Sequence, residues 1–146
     1  MNRFLISVIM MIVVGLSTAC ADNYSHDASA LPASAQSVIK KNFKAGVSLV
    51  KIDKDLGFIK DYEVVLKDGT EIKFDSDGNW EEVEVSADKN VPASFLVAGI
   101  RSYLAANFKG VNVVGIEKNR KNYEVKLANG IDLKFDRSGK FLRYDD

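Results

Sequence analysis

From residue 31 onward the apolar positions follow two periods in turn, and the same sequence of periods occurs twice. Ala35, Ile39 and Phe43 recur every fourth residue with Val38 beside them, which predicts a helix with one apolar stripe. Leu96, Ile100, Leu104 and Phe108 predict a second. Pro32 and Pro92 mark the starts, because a proline in the first turn lacks only an N–H that would have had no partner. Gly46 and Gly110 are natural stops. Proline and phenylalanine lie 11 positions apart in the first segment and 16 in the second, so the second helix is expected to be one turn longer.

After each helix the period shortens to two. Four strands are expected over 47–52, 62–66, 71–74 and 80–85, and four more over 111–117, 123–127, 131–135 and 141–144. Asp68-Gly69 and Asn129-Gly130 suit two-residue hairpins of type I′, and Asp77-Gly78 and Ser138-Gly139 mark the turns that follow. Residues 53–61 form a charged hairpin longer than its counterpart at 118–122. Alternation points Tyr62, Val64, Leu66, Ile72, Phe74, Tyr123, Val125, Leu127, Ile131, Leu133 and Phe135 toward the helices. Glu63, Glu71, Lys73, Glu124, Lys126, Asp132 and Lys134 then occupy the opposite face.

The two halves also match residue by residue. Leu31-Pro32-Ala33-Ser34 returns as Val91-Pro92-Ala93-Ser94, and Asn42-Phe43-Lys44 as Asn107-Phe108-Lys109. Tyr62-Glu63-Val64 returns as Tyr123-Glu124-Val125, while Phe74-Asp75, Gly78 and Trp80 return as Phe135-Asp136, Gly139 and Phe141. Two copies at a spacing near sixty residues describe a duplicated unit, not a solenoid. The expected class is α+β: two tandem α-β4 repeats, residues 31–88 and 89–146, forming an extended antiparallel sheet with helices on one face.

The N-terminal end changes the picture of where such a domain works. Arg3, the apolar run 4–16 and Ala19-Cys20-Ala21 read as a secretory signal peptide over 1–21, with residues 22–30 a flexible leader. Leu16-Ser17-Thr18-Ala19-Cys20 also resembles a loose lipoprotein box, with its leucine one place too far upstream. The expected location is therefore periplasmic or secreted, with an outer-membrane lipoprotein lipidated at Cys20 as the alternative. Cleavage after Ala21 leaves 125 residues without cysteine, so no disulfide is expected in an oxidising compartment. Net charge is zero, yet residues 31–90 carry −3 and residues 91–146 carry +4. That polarity suits orientation toward a partner, but with no basic aromatic stripe it gives no sign of nucleic-acid binding.

The quoted motifs together resemble the PepSY-like family of secreted proteins from Gram-negative bacteria. Its tandem-repeat fold is similar to that of the β-lactamase inhibitory protein. The resemblance runs from Leu31 to Tyr144 and is carried by core and turn positions. It implies two helix-plus-four-strand units joined edge to edge, and a binding or inhibitory role rather than catalysis. Phe141 in place of Trp80 means that an aromatic binding role need not occur in both halves.

Candidate chemistry is sparse. His26 is the single histidine and falls in the expected leader, which leaves no Ser-His-Asp, Cys-His or histidine-based metal set in the domain. No enzymatic activity, cofactor or metal is expected. Asp75-Ser76-Asp77-Gly78-Asn79 has a calcium reading, but its glycine is misplaced for an EF-hand loop and a hairpin turn explains it. Trp80, Glu82 and Glu84 are expected on one side of their strand, Glu81, Val83 and Val85 on the other. Trp80 is then either an exposed anchor for a protein partner or a core residue at the seam between repeats. Lys73, Lys126, Lys134 and Arg143, alternating with glutamates, form either a ligand-binding face or cross-strand ion pairs.

The sequence thus points to an exported, non-enzymatic module that recognises an undefined protein or peptide. Trp80, Glu82, Glu84, Lys73 and Arg143 are the candidate contacts, and the 54–60 hairpin tunes charge. The alternative is a structural or stress-related envelope component, for which a lipid anchor at Cys20 would make weak contacts effective.

Overall fold

The computed structural model describes residues 23–145. The expected signal peptide and Cys20 lie outside the described residues. Nine strands form one antiparallel sheet in chain order: β1 Asn23–Ser25, β2 Val47–Asp55, β3 Phe58–Leu66, β4 Glu71–Asp75, β5 Trp80–Glu84, β6 Val113–Lys118, β7 Asn122–Leu127, β8 Asp132–Asp136 and β9 Phe141–Asp145. Helix α1, Ala33–Asn42, lies between β1 and β2, and helix α2, Ala98–Asn107, between β5 and β6. The protein is therefore α+β. Short hairpins join β2 through β5 and β6 through β9 in order, and the longer segments carrying α1 and α2 also return the chain to the adjacent strand.

The inner face follows the alternation. Tyr62, Val64, Leu66, Ile72 and Phe74 are buried, as are Tyr123, Val125, Leu127, Leu133 and Phe135, while Ile131 is half-buried. They form one cluster with Ala35 and Ile39 of α1 and Ile100 and Leu104 of α2. Val83 of β5 opposes Ile116 of β6, both fully buried, so the core runs unbroken across the junction of the two halves. Each helix starts against a glycine turn. Ser34 donates from Oγ to the Asp77 carbonyl at 2.8 Å. Gly78, at φ +84, leaves room there for Ser34 and Pro32; Gly139, at φ +89, lies likewise against Gly99. A side chain at either turn would strain the backbone and lift the helix.

Four expectations are corrected. The second helix is no longer than the first: both span 10 residues. Pro92 instead caps a 3₁₀ turn, Ala93–Phe95, and Leu96 and Val97 are extended before α2 begins. The extra residues thus make a kink that buries Phe95. The Asp68-Gly69 and Asn129-Gly130 turns are not type I′, which needs positive φ at both central positions; only the glycines have it. The N–H of Gly69 bonds to Leu66 O and that of Leu66 to Thr70 O, a three-residue loop with a glycine bulge. The double positive φ occurs at Leu56 (+50) and Gly57 (+83), between the paired residues Asp55 and Phe58. Finally, part of the leader expected over 22–30 is structured: β1 pairs Tyr24 with Lys51, and Asp27 caps a 3₁₀ turn by accepting from Ser29 N. Extended backbone beside β2 satisfies main-chain groups that an edge strand leaves unpaired.

Candidate functional site

Among the described elements both helices pack on the inner face, so the outer face holds most of the polar strand positions. Strand register arranges its charges in a row. Lys51 opposes Glu63, Glu63 opposes Lys73, Lys73 opposes Glu82, Glu82 opposes Glu117, and Glu117 opposes Glu124. Glu124 opposes Lys134, which opposes Arg143. The row crosses eight strands, and opposite signs pair on either side of its centre, although Lys134 and Arg143 at the far end are alike in charge. Lys51 meets Glu63 at 3.6 Å, and Lys134 meets Glu124 at 2.8 Å. One position along, Lys126 meets Glu84 at 3.5 Å.

The centre is different. Glu82, Glu117 and Glu124 stand side by side, an arrangement that costs stability wherever carboxylates remain ionised. Glu82 is 6% exposed. Its ladder neighbour Lys73 instead forms an ion pair with Asp61 at 3.4 Å. Glu82 Oε1 and Glu117 Oε2 are buried without a hydrogen-bond partner. Burial, reinforced by Glu117 and Glu84 and opposed by Lys73, pushes the Glu82 carboxyl up to about 8. Burial and then Glu124 and Glu81 raise Glu117, and burial, Glu84 and Glu63 raise Glu71. The two unpartnered carboxyls border a cleft of about 520 Å³, lined by Lys73, Glu81, Glu82, Glu117, Lys118 and Arg120 together with Asn119. Chemically, the cleft offers two acceptor oxygens and a carboxyl that holds its proton near neutral pH. Among the described residues no group of three or more His, Cys, Asp or Glu is placed to hold a metal ion.

The residues singled out from the sequence divide among three places. Lys73, Glu82 and Glu84 meet on the outer face at β4 and β5. Arg143 lies far along the row on the last strand, exposed. Trp80 is not on their side, which corrects its expected alignment with Glu82 and Glu84. Lys73 opposes Glu82 but Phe74 opposes Trp80, so Glu81 is an extra residue, and this bulge turns Trp80 toward the helices. There its ring meets Phe95 edge-on at 5.1 Å, with Lys118 Nζ 4.1 Å from its centroid. The second half repeats the bulge, with Lys134 opposite Arg143 and Phe135 opposite Phe141. At the Asp75 turn, Oδ1 accepts from the N–H groups of Asp77 and Asn79 and from Asn79 Nδ2. That is turn chemistry, with the carboxylate occupied by its own loop.

Sequence reasoning singled out the 54–60 hairpin for its charge, but not its apolar tip, and it did not single out Glu117 or Asp61 as site residues. The tip is apolar and exposed: Leu56 is 92% and Phe58 78% exposed, flanked by Lys54 and Lys60. Glu117 was identifiable by outward alternation, but its value depends on β6 lying beside β5.

The comparisons with known proteins fit this architecture. A family model described as "Putative beta-lactamase-inhibitor-like, PepSY-like" matches residues 60–143. A solved structure from Bacteroides vulgatus, a "putative periplasmic protein of unknown function", is 40% identical with a TM-score of 0.80. It covers 86% of this chain and 100% of its own. A "putative calcium-regulated periplasmic protein" from Bacteroides thetaiotaomicron is 36% identical with a TM-score of 0.74, covering 81% of this chain and 92% of its own. A further "putative periplasmic protein" from B. vulgatus is 32% identical with a TM-score of 0.76, covering 87% and 100%. No curated protein matches the chain. The matched segment takes in β3 to β9 with α2, three periplasmic relatives share the fold over most of its length, and the chain belongs to the PepSY-like family of periplasmic proteins.

Proposed function

We propose that this protein is a non-enzymatic periplasmic binding module whose outer sheet face recognises a protein or peptide partner. The observation that carries this reading is the row of charges across eight strands on a face that no described helix covers. Such a row fixes the register of a partner by sign, and complementary charge gives specificity and association rate more than raw affinity. The residues available for contact are Glu63, Lys73, Glu84, Lys126 and Arg143, with Glu82 below them. Trp80 supports the helix side. We read the two helix-plus-four-strand runs as copies of one unit that joins through β5 and β6, with Trp80 and Phe95 filling the inner side of the joint.

The test is crosslinking capture from native periplasm with the wild-type chain and with Glu63→Arg and Lys126→Glu, each first shown to fold by circular dichroism. The expected result is a partner recovered by the wild type and lost with either reversal. Recovery of the same proteins by all three chains refutes recognition through this face. A second reading takes up the words "putative calcium-regulated" used of the B. thetaiotaomicron relative. On that reading calcium acts on the outer-face carboxylates, and calcium chloride raises the melting temperature of the wild type but not of Glu117→Gln.

A further inference from the structure

We propose that the cleft at the β5–β6 junction binds a single cationic side chain, a lysine ammonium or an arginine guanidinium of a partner protein, between Glu82 and Glu117. The inference rests on the outer-face reading above and specifies what the centre of that face accepts. Its basis is geometric. Glu82 and Glu117 are directly opposed across the junction, Glu82 is 94% buried, and each carboxyl presents a buried oxygen without a partner. Native proteins leave few such atoms unpaired, so these two call for a donor.

Apart from Arg120, the chain's own cations near the cleft are committed elsewhere. Lys73 pairs with Asp61, Lys126 with Glu84, and Lys134 with Glu124 and Asp145, while Lys118 lies over the Trp80 ring. An ammonium carries three donors and a guanidinium five, either of which bridges two carboxyls. A hard divalent cation takes six or more oxygens, and two facing carboxyls do not supply them. Glu81, Glu82 and Glu117 face Lys73, Lys118 and Arg120 around the cleft, so its charges balance only when Glu82 is ionised. It therefore suits one inserted cation on an otherwise neutral or acidic segment and rejects a polybasic tract. Because the guest takes the place of a proton on Glu82, binding tightens as pH rises from 6 to 9. The groups facing that carboxyl are Glu71 and Lys73 on β4, Glu84 on β5 and Glu117 on β6.

The experiment titrates isotope-labelled full-length chain with acetyl-Gly-Lys-Gly-amide, following backbone amides of Glu82, Val83, Ile116 and Glu117 by NMR. The Arg, Gln and Glu versions of the peptide serve as controls. Saturable shifts are expected with the Lys or Arg peptide and none with the Gln or Glu peptide. Affinity should fall at least tenfold in both Glu82→Gln and Glu117→Gln, which keep shape and remove charge. Shifts with the Gln peptide equal to those with Lys would overturn the proposal, as would unchanged affinity in Glu82→Gln or no response at millimolar peptide. Calcium chloride that moves the same amides and excludes the peptide also overturns it, by assigning the pair to a metal. If periplasmic capture stays sensitive to Glu63→Arg while the peptide fails, only the cleft assignment falls. If capture is insensitive as well, the outer-face reading falls with it.

Discussion

Replacing Glu82 with glutamine should stabilise the protein near neutral pH and flatten its stability between pH 5 and 8. The folded state holds the Glu82 carboxyl at about 8, against 4.5 for the unperturbed group. Between those values the native chain keeps a proton that the unfolded chain has released, so the stability contributed by Glu82 is fully present below 4.5 and is lost as pH rises toward 8. Each pH unit in that window is worth about 1.4 kcal/mol, so raising the pH from 5 to 7 removes about 3 kcal/mol. Glu117, Glu71 and Asp132, all raised first by burial, push in the same direction. Carboxylates held low by turn hydrogen bonds, such as Asp136, act at lower pH and do not enter the window. Glutamine matches the volume and does not titrate, so it has no proton to lose across this window. Urea unfolding at pH 5, 6, 7 and 8 should show the two proteins converging at pH 5 and separating by about 3 kcal/mol at pH 7. Parallel profiles would show that the carboxyl is solvated, and the account of the junction would fail.

Trp80→Ala should lower stability by about 2–3 kcal/mol, because the half-buried ring joins β5 to Phe95, and calorimetry reads the loss as a drop in Tm. Leu56→Gly should raise the urea midpoint by about 1 kcal/mol equivalent, since Leu56 has positive φ and loses almost no packing. Gly78→Ala should cost more than 1 kcal/mol by the same measurement, because it adds positive-φ strain to a collision with Ser34 and Pro32.

The sequence by itself determined the inner half of this protein. Helix stripes, strand alternation and turn residues are local signals, and burial at Ala35, Ile39, Val64, Phe74, Val125 and Phe135 follows their periods. It also carried the family motifs. Where local geometry departed from its commonest form, the pattern misled: a kink after Phe95 resembles one more helical turn, because Leu96 still falls on the apolar stripe. A bulge of one residue likewise reverses a side chain without altering composition, which is why alternation alone puts Trp80 beside Glu82. The candidate site was less legible still. Glu82 and Glu117 are 35 positions apart, and neither is unusual along its own strand. Only pairing of β5 with β6 sets them face to face, and the turning of Lys73 toward Asp61 leaves them without an ion pair to that lysine. Periodicity records which way a side chain points relative to its own backbone; which charge stands opposite is decided by strand register, a property of two segments that the tertiary structure alone brings together.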